Sequence, residues 1–250
     1  MTYCVGVKLN KGLVFMSDTL TNAGVDNLSH HKKMFHWHLK KKCIFTLLAS
    51  GNLATTQSVV NKINESNKKI NNTESILNTD SMYKAATKIG EYLRSTINVN
   101  KKNEQQLSNN PYSATFIFGG QIYGEIPKIF LIYPEGNFIE ATSDEPFLQI
   151  GETKYGKPIL VRALDQKINF QEAIKLLLVS FDSTMKTNLS VGLPLDYCDV
   201  LNDKYEINRS LRINKGNRYF NEITEIWENS LKKAVENLPN FKFDESLSND

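Results

Sequence analysis

The residues best placed to do chemistry stand at the very start of the chain. Thr2 follows Met1 directly. Threonine is small enough at the second position for an aminopeptidase to remove Met1, and Thr2 would then carry a hydroxyl and a free α-amine on adjacent carbons. The hydroxyl is a poor nucleophile by itself. An α-amine with a reference pKa of roughly 7.7–8.0 is partly neutral near pH 7 and can take its proton. Such a centre needs a cation beside the amine and a carboxylate to hold that cation; Lys33 and Asp18 are the candidates. A close ammonium disfavours a second positive charge, so Lys33 would lower the amine pKa and leave more of it free to act as base. Plainer readings stand beside these. Thr2 can be an ordinary second residue with Met1 kept, Lys32 and Lys33 a solvated basic turn, and Asp18 the turn residue that ends a strand. On these residues alone the plainer reading of Thr2 carries more weight.

The elements that would position these groups are legible on either side of them. Residues Thr2 to Leu9 and Leu13 to Ser17 are β-branched, aromatic and aliphatic, and Asn10-Lys11-Gly12 between them is a turn signal, which predicts a β-hairpin. A strand starting at residue two ties the chain end into the fold, where termini usually fray. Asp18 closes the second strand, and Lys33 follows after a turn containing Gly24. Cys43 to Ala49 reads as a buried strand and Ser50-Gly51-Asn52 as a turn. A helix then carries Leu53, Val59, Val60 and Ile63 at helical spacing, with a loop through Thr79. A second helix spans about Ser81 to Ile97, with Met82, Ala85, Ala86, Ile89, Leu93 and Ile97 as its apolar stripe.

Asn98 to Pro111 is polar and reads as a solvated connection. Ser113 to Tyr123 reads as a strand broken at Gly119-Gly120, followed by strands Lys128–Tyr133 and Phe138–Ala141 around a Pro134–Asn137 turn. That is a meander of an antiparallel sheet. Gly151 to Pro158 reads as a loop. Phe170 to Thr187 reads as a helix opened by Asn169 and Glu172 in a capping box. Late strands are expected over Leu189–Val200 and Tyr205–Ile213, and a last helix over Asn221–Leu238. Strands, two helices, strands, one helix, strands, one helix is an α+β order, with antiparallel sheets covered by helices outside them.

Composition bounds the rest. At 250 residues, with 40% hydrophobic and 23% charged residues, one large soluble domain is the default, here residues 1–243 with an acidic, loose tail over 244–250. No apolar run approaches the roughly 18 residues of a membrane span, and no basic-then-apolar leader is present. The chain is therefore expected in the cytoplasm, without a membrane partner. Cys4, Cys43 and Cys198 are an odd, unpaired set and read as reduced core residues. A net charge of +3 is too small to imply a nucleic-acid partner, and Lys40-Lys41-Lys42 lacks interleaved aromatics. His36 and His38 alternate on one strand face, but no cysteine or carboxylate at fitting spacing completes a metal site, so neither metal nor other cofactor is expected.

With those residues in view, the chain resembles a proteasome-type β subunit, and within that family the bacterial branch called Anbu. The resemblance rests on TYCVG from Thr2, Ser-Asp at Asp18 followed by TNAGVDN, Lys33 in a Lys-Lys-Met step, SGNLATTQ around Gly51, and IGETKYGKP from Ile150. The motifs run in order over almost the whole length. The resemblance implies the N-terminal-nucleophile hydrolase fold, a four-layer αββα sandwich of two antiparallel sheets flanked by helices. It implies a threonine-type peptide hydrolase with Thr2 as nucleophile, Lys33 and Asp18 as its helpers and the Gly51 N–H at the oxyanion. It also implies self-association into a ring or helical oligomer around peptide or unfolded protein substrates.

Two positions depart from the broader proteasome pattern. Glu152 stands where relatives use a serine to hold the N-terminal amine, and its carboxylate would raise the amine pKa. Ser190 matches a supporting serine, while the supporting aspartate nearby is absent. These departures support one alternative, a non-catalytic or weakly active assembly subunit; a second, an amidohydrolase acting on a small non-peptide amide, stays open because the same nucleophile would serve both.

Overall fold

The computed structural model describes residues 2–22, 28–68, 72–101 and 111–241. The Gly24 turn, most of the polar connection before Pro111, and the 244–250 tail lie outside the described residues. Strands β1 (Tyr3–Leu9) and β2 (Gly12–Asp18) form the expected hairpin, followed by a short ribbon of β3 (Leu20–Asn22) and β4 (Leu28–His30). Next come β5 (Met34–Leu39), β6 (Cys43–Gly51), and helices α1 (Leu53–Asn67) and α2 (Met82–Lys101). Strands β7 (Ala114–Ile122), β8 (Lys128–Ile132), β9 (Phe138–Glu140) and β10 (Phe147–Gly151) lead into helices α3 (Lys157–Ala163) and α4 (Phe170–Thr187). Strands β11 (Leu195–Leu201) and β12 (Arg209–Ile213) complete this unit, which ends at residue 215. A second unit begins at Gly216 and holds helix α5 (Arg218–Glu236), capped by the Asn217 side chain accepting from the Phe220 N–H.

Two five-stranded antiparallel sheets build the first unit, in the orders β10-β1-β2-β11-β12 and β5-β6-β7-β8-β9. They pack face to face, and period-two alternation along β6 shows how. Ile44 and Leu48 join Cys4, Phe15 and Ile117 in the core between the sheets. Phe45 and Leu47 point the other way, against Ile63, Ile89 and Leu93 of α1 and α2. Helix α4 lies on the outer face of the first sheet, with the Phe181 ring 4.4 Å from the ring of Tyr3. The result is the four-layer αββα arrangement. Strand β2 is buried along its whole length because it is central in its sheet and covered on both faces. The expected stripe on α2 is buried at every named position, and the α4 capping box is present with both of its bonds. The three cysteines are free and buried.

Several local expectations are corrected. Strand β7 runs unbroken through Gly119 and Gly120. These glycines make room for neighbours: a Cβ on Gly120 would lie 2.0 Å from the Ile44 carbonyl oxygen, and one on Gly119 would lie 2.7 Å from the Phe15 ring. Helix α2 continues through Asn98 to Lys101, so the first residues of the expected connection are helical. Pro158 does not mark a loop but the first turn of α3, where its missing N–H costs nothing. Strand β12 starts only at Arg209 because Asp203 and Tyr205 adopt positive φ, which a strand cannot contain. Strand β11 starts at Leu195, after Gly192 and Pro194, and α5 starts at Arg218 rather than Asn221. No helix among the described residues is long and apolar enough to cross a membrane.

Candidate active site

Asp18 ends β2 with no solvent exposure, and Lys33, immediately before β5, is only 6% exposed. The two strands belong to different sheets, so packing the sheets together brings the side chains into contact. Lys33 Nζ donates to Asp18 Oδ1 at 2.8 Å and to the Leu20 carbonyl at 2.6 Å. The Tyr3 N–H also donates to Asp18 Oδ1, at 3.0 Å. Burial lifts the Asp18 carboxyl above the ordinary range, while the Lys33 charge and the N–H groups of Tyr3 and Gly192 pull it back. Ammonium and backbone N–H groups can only donate, so this environment suits an ionised carboxylate.

Thr2 is held from both sides of the chain. Its successor is fixed to Asp18 through the Tyr3 N–H, and its own carbonyl accepts from the Glu152 N–H at 2.7 Å. That second bond continues the pairing of β1 with β10, in which Tyr3 sits opposite Gly151. Gly151 has φ +86, and a Cβ there would lie 1.9 Å from the Thr2 carbonyl oxygen. Only glycine allows this approach. The Tyr3 side chain anchors the same corner: its hydroxyl meets Ser180 Oγ of α4 at 2.7 Å and accepts from the Gln149 side-chain amide.

Gly51 closes β6 with φ +107, and a Cβ there would meet the Ser113 carbonyl oxygen at 2.5 Å. The Ala49 N–H bonds the Lys33 carbonyl, and the Asn52 N–H bonds the Ser113 carbonyl on the opposite side. Alternation along the strand therefore sends the Gly51 N–H to the Lys33 side, just past the start of β5. Thr2, Lys33, Gly51 and Gly151 line one cleft of about 380 Å³, with Thr21 and Lys32 on its rim and Asp18 buried beneath.

Glu152 and Ser190 stand beside this cleft and not on its lining. Asn188 joins them: its side-chain amide donates to Glu152 Oε2 at 3.0 Å, and its Oδ1 accepts from the Ser190 N–H at 2.9 Å. The Lys154 N–H reaches Glu152 Oε1 at 3.5 Å. His36 is partnered by Thr46 Oγ1 at 3.1 Å, and burial with help from the Lys32 charge pushes its pKa down to about 4. Sequence reasoning missed Gly151 as the residue that admits Thr2, and it missed the Tyr3–Ser180–Gln149 anchor. The first had a signal, a glycine ending a strand inside Ile150-Gly151-Glu152. The second had none, because its partners lie 146 and 177 residues from Tyr3.

Comparisons with known proteins place the family and the fold. The family model for the proteasome subunit matches residues 2–193. Among solved structures, a Gly-1 mutant of Anbu from a Hyphomicrobium species is 43% identical, covers 97% of this chain and 100% of its own, and superposes with a TM-score of 0.89. Anbu, an ancestral β-subunit, from Yersinia bercovieri is 40% identical over 96% of this chain and 100% of its own, with a TM-score of 0.89. The helical assembly of the Anbu complex from Pseudomonas aeruginosa is 39% identical over 96% and 98%, with a TM-score of 0.87. No curated protein matches the chain.

Proposed function

This chain belongs to the proteasome subunit family, within its Anbu branch, and on that premise we propose that it is a threonine-type peptide hydrolase whose nucleophile is Thr2, exposed by removal of Met1. The observation that carries the reading is Lys33 Nζ, pinned by Asp18 and the Leu20 carbonyl on a cleft that Thr2 and Gly51 also line.

The chemistry follows from these groups. The Thr2 hydroxyl oxygen attacks a peptide carbonyl carbon, and its proton passes to the neutral α-amine. The Lys33 ammonium, paired with Asp18, lowers the basicity of that amine and so favours its neutral form. The carbonyl oxygen becomes an oxyanion held by the Gly51 N–H; one such donor lowers the barrier by about 2.7–4 kcal/mol. The C–N bond breaks, the leaving amine takes the proton, and an ester to Thr2 remains. Water then attacks the ester with the amine again as base, which regenerates Thr2. Asn188 and the Lys154 N–H occupy the Glu152 carboxylate, which tempers its opposition to Lys33. We further propose that copies of the chain assemble with one another, as the helical Anbu complex of Pseudomonas aeruginosa does, and that they work in the cytoplasm.

A threonine-directed β-lactone tests the reading. One adduct on Thr2, absent from T2A and retained in T2S, is expected. A chain lacking Met1 that takes no adduct would favour a non-catalytic assembly subunit. Turnover of small amides without cleavage of peptides would favour the amidohydrolase.

A further inference from the structure

The charge on the cleft wall is one-sided. Two cations line it, Lys32 and Lys33, and among the described residues no carboxylate does. Lys33 is committed to buried Asp18 and to the Leu20 carbonyl. Lys32 is exposed and has no ion-pair partner among the described residues; its Nζ lies 5.7 Å from the Phe35 ring. Asp196 shares a second depression with Lys32 but is taken by Arg212 in two bonds of 2.7 and 2.9 Å. The rest of the lining offers the hydroxyls of Thr21 and Ser50, both able to donate to an anion, while the Thr56 hydroxyl is committed to the Asn52 carbonyl.

We propose that this cleft selects peptides with a carboxylate side chain, Asp or Glu, at the residue whose carbonyl Thr2 attacks. The inference rests on the Thr2 reading above and adds the substrate class. Lys32 lines the cleft without an ion-pair partner among the described residues, and an acidic side chain bound there would supply one.

Peptide vinyl sulfones that differ only in the residue before the warhead (Glu, Gln or Lys) test it, with covalent labelling followed by intact mass. In the wild-type chain the Glu probe should label on the order of tenfold faster than its neutral isostere Gln, a factor that corresponds to about 1.4 kcal/mol. The ratio should fall toward one in K32M, invert in K32E so that the Lys probe leads, and shrink as salt is raised. Equal Glu and Gln rates in the wild type, or a ratio unchanged by K32M, would overturn the proposal. If Thr2 still takes the β-lactone, only the selectivity inference falls. If no probe labels a chain shown to lack Met1, the nucleophile reading falls and takes this one with it.

Discussion

A Cβ placed on Gly151 would lie 1.9 Å from the carbonyl oxygen of Thr2, closer than any non-bonded pair tolerates. Strand β10 thus brings its last residue against the Thr2 backbone. Gly151→Ala must push Thr2 aside and must also place alanine at φ +86. β-Lactone labelling of G151A is expected to fall by on the order of a hundredfold, since misplacing a reacting group by about an ångström costs that much. Labelling within a few-fold of wild type would show that the contact does not position Thr2.

The buried pair of Asp18 and Lys33 gives a double-mutant prediction. Asp18→Asn leaves Lys33 charged and almost fully buried without its counter-ion, which costs about 3–5 kcal/mol. Lys33→Met strands Asp18 in the same way. The double variant D18N/K33M removes both charges and should be more stable than the sum of the single effects implies, by a coupling of about 0.5–3 kcal/mol. Urea unfolding of the four chains measures this; strict additivity would mean that the pair does not interact. All three variants should lose β-lactone labelling.

Much of this site was legible before the fold. Residue types, strand ends and a family resemblance single out Thr2, Asp18, Lys33 and Gly51; three of them line one cleft, and buried Asp18 is bonded to Lys33. The hairpin, the α2 stripe and the α4 capping box were legible because each is a local pattern with a period or a fixed offset. Strand β10 was missed because it is five residues long and only partly buried, so no alternation stands out. The Tyr3 anchor was missed because hydrogen bonds between residues far apart in sequence leave no spacing to read. Gly119-Gly120 misled for a related reason, since a break and a close approach of another backbone look the same in sequence.

Gly51→Ala tests the oxyanion role separately from the nucleophile. At φ +107, and with a Cβ 2.5 Å from the Ser113 carbonyl oxygen, the alanine must rotate or shift the backbone N–H. Peptide turnover should fall by about 10²- to 10³-fold, the usual cost of losing one such donor. Removal of Met1 should continue. An undiminished kcat would exclude Gly51 as the donor.

His36 gives a pH signature of stability that is independent of catalysis. Its folded pKa of about 4 lies below the ordinary 6.5, so the unfolded chain binds the proton more readily. The associated stability is fully present above pH 6.5 and is lost as pH falls from 6.5 toward 4. Because the ring is only half-buried, solvent screening leaves this at on the order of 1–2 kcal/mol. Chemical denaturation at several pH values should show a smaller loss across that window in H36Q than in wild type. Parallel curves would contradict the assignment.

Intact-mass spectrometry of the wild-type chain, before and after treatment with a β-lactone, tests the central claim most directly. The untreated chain should lack the mass of one methionine residue, and the treated chain should gain one probe, mapped by fragmentation to Thr2. A chain that hydrolyses peptides while Met1 is still attached, or one without Met1 whose adduct maps elsewhere, would contradict it.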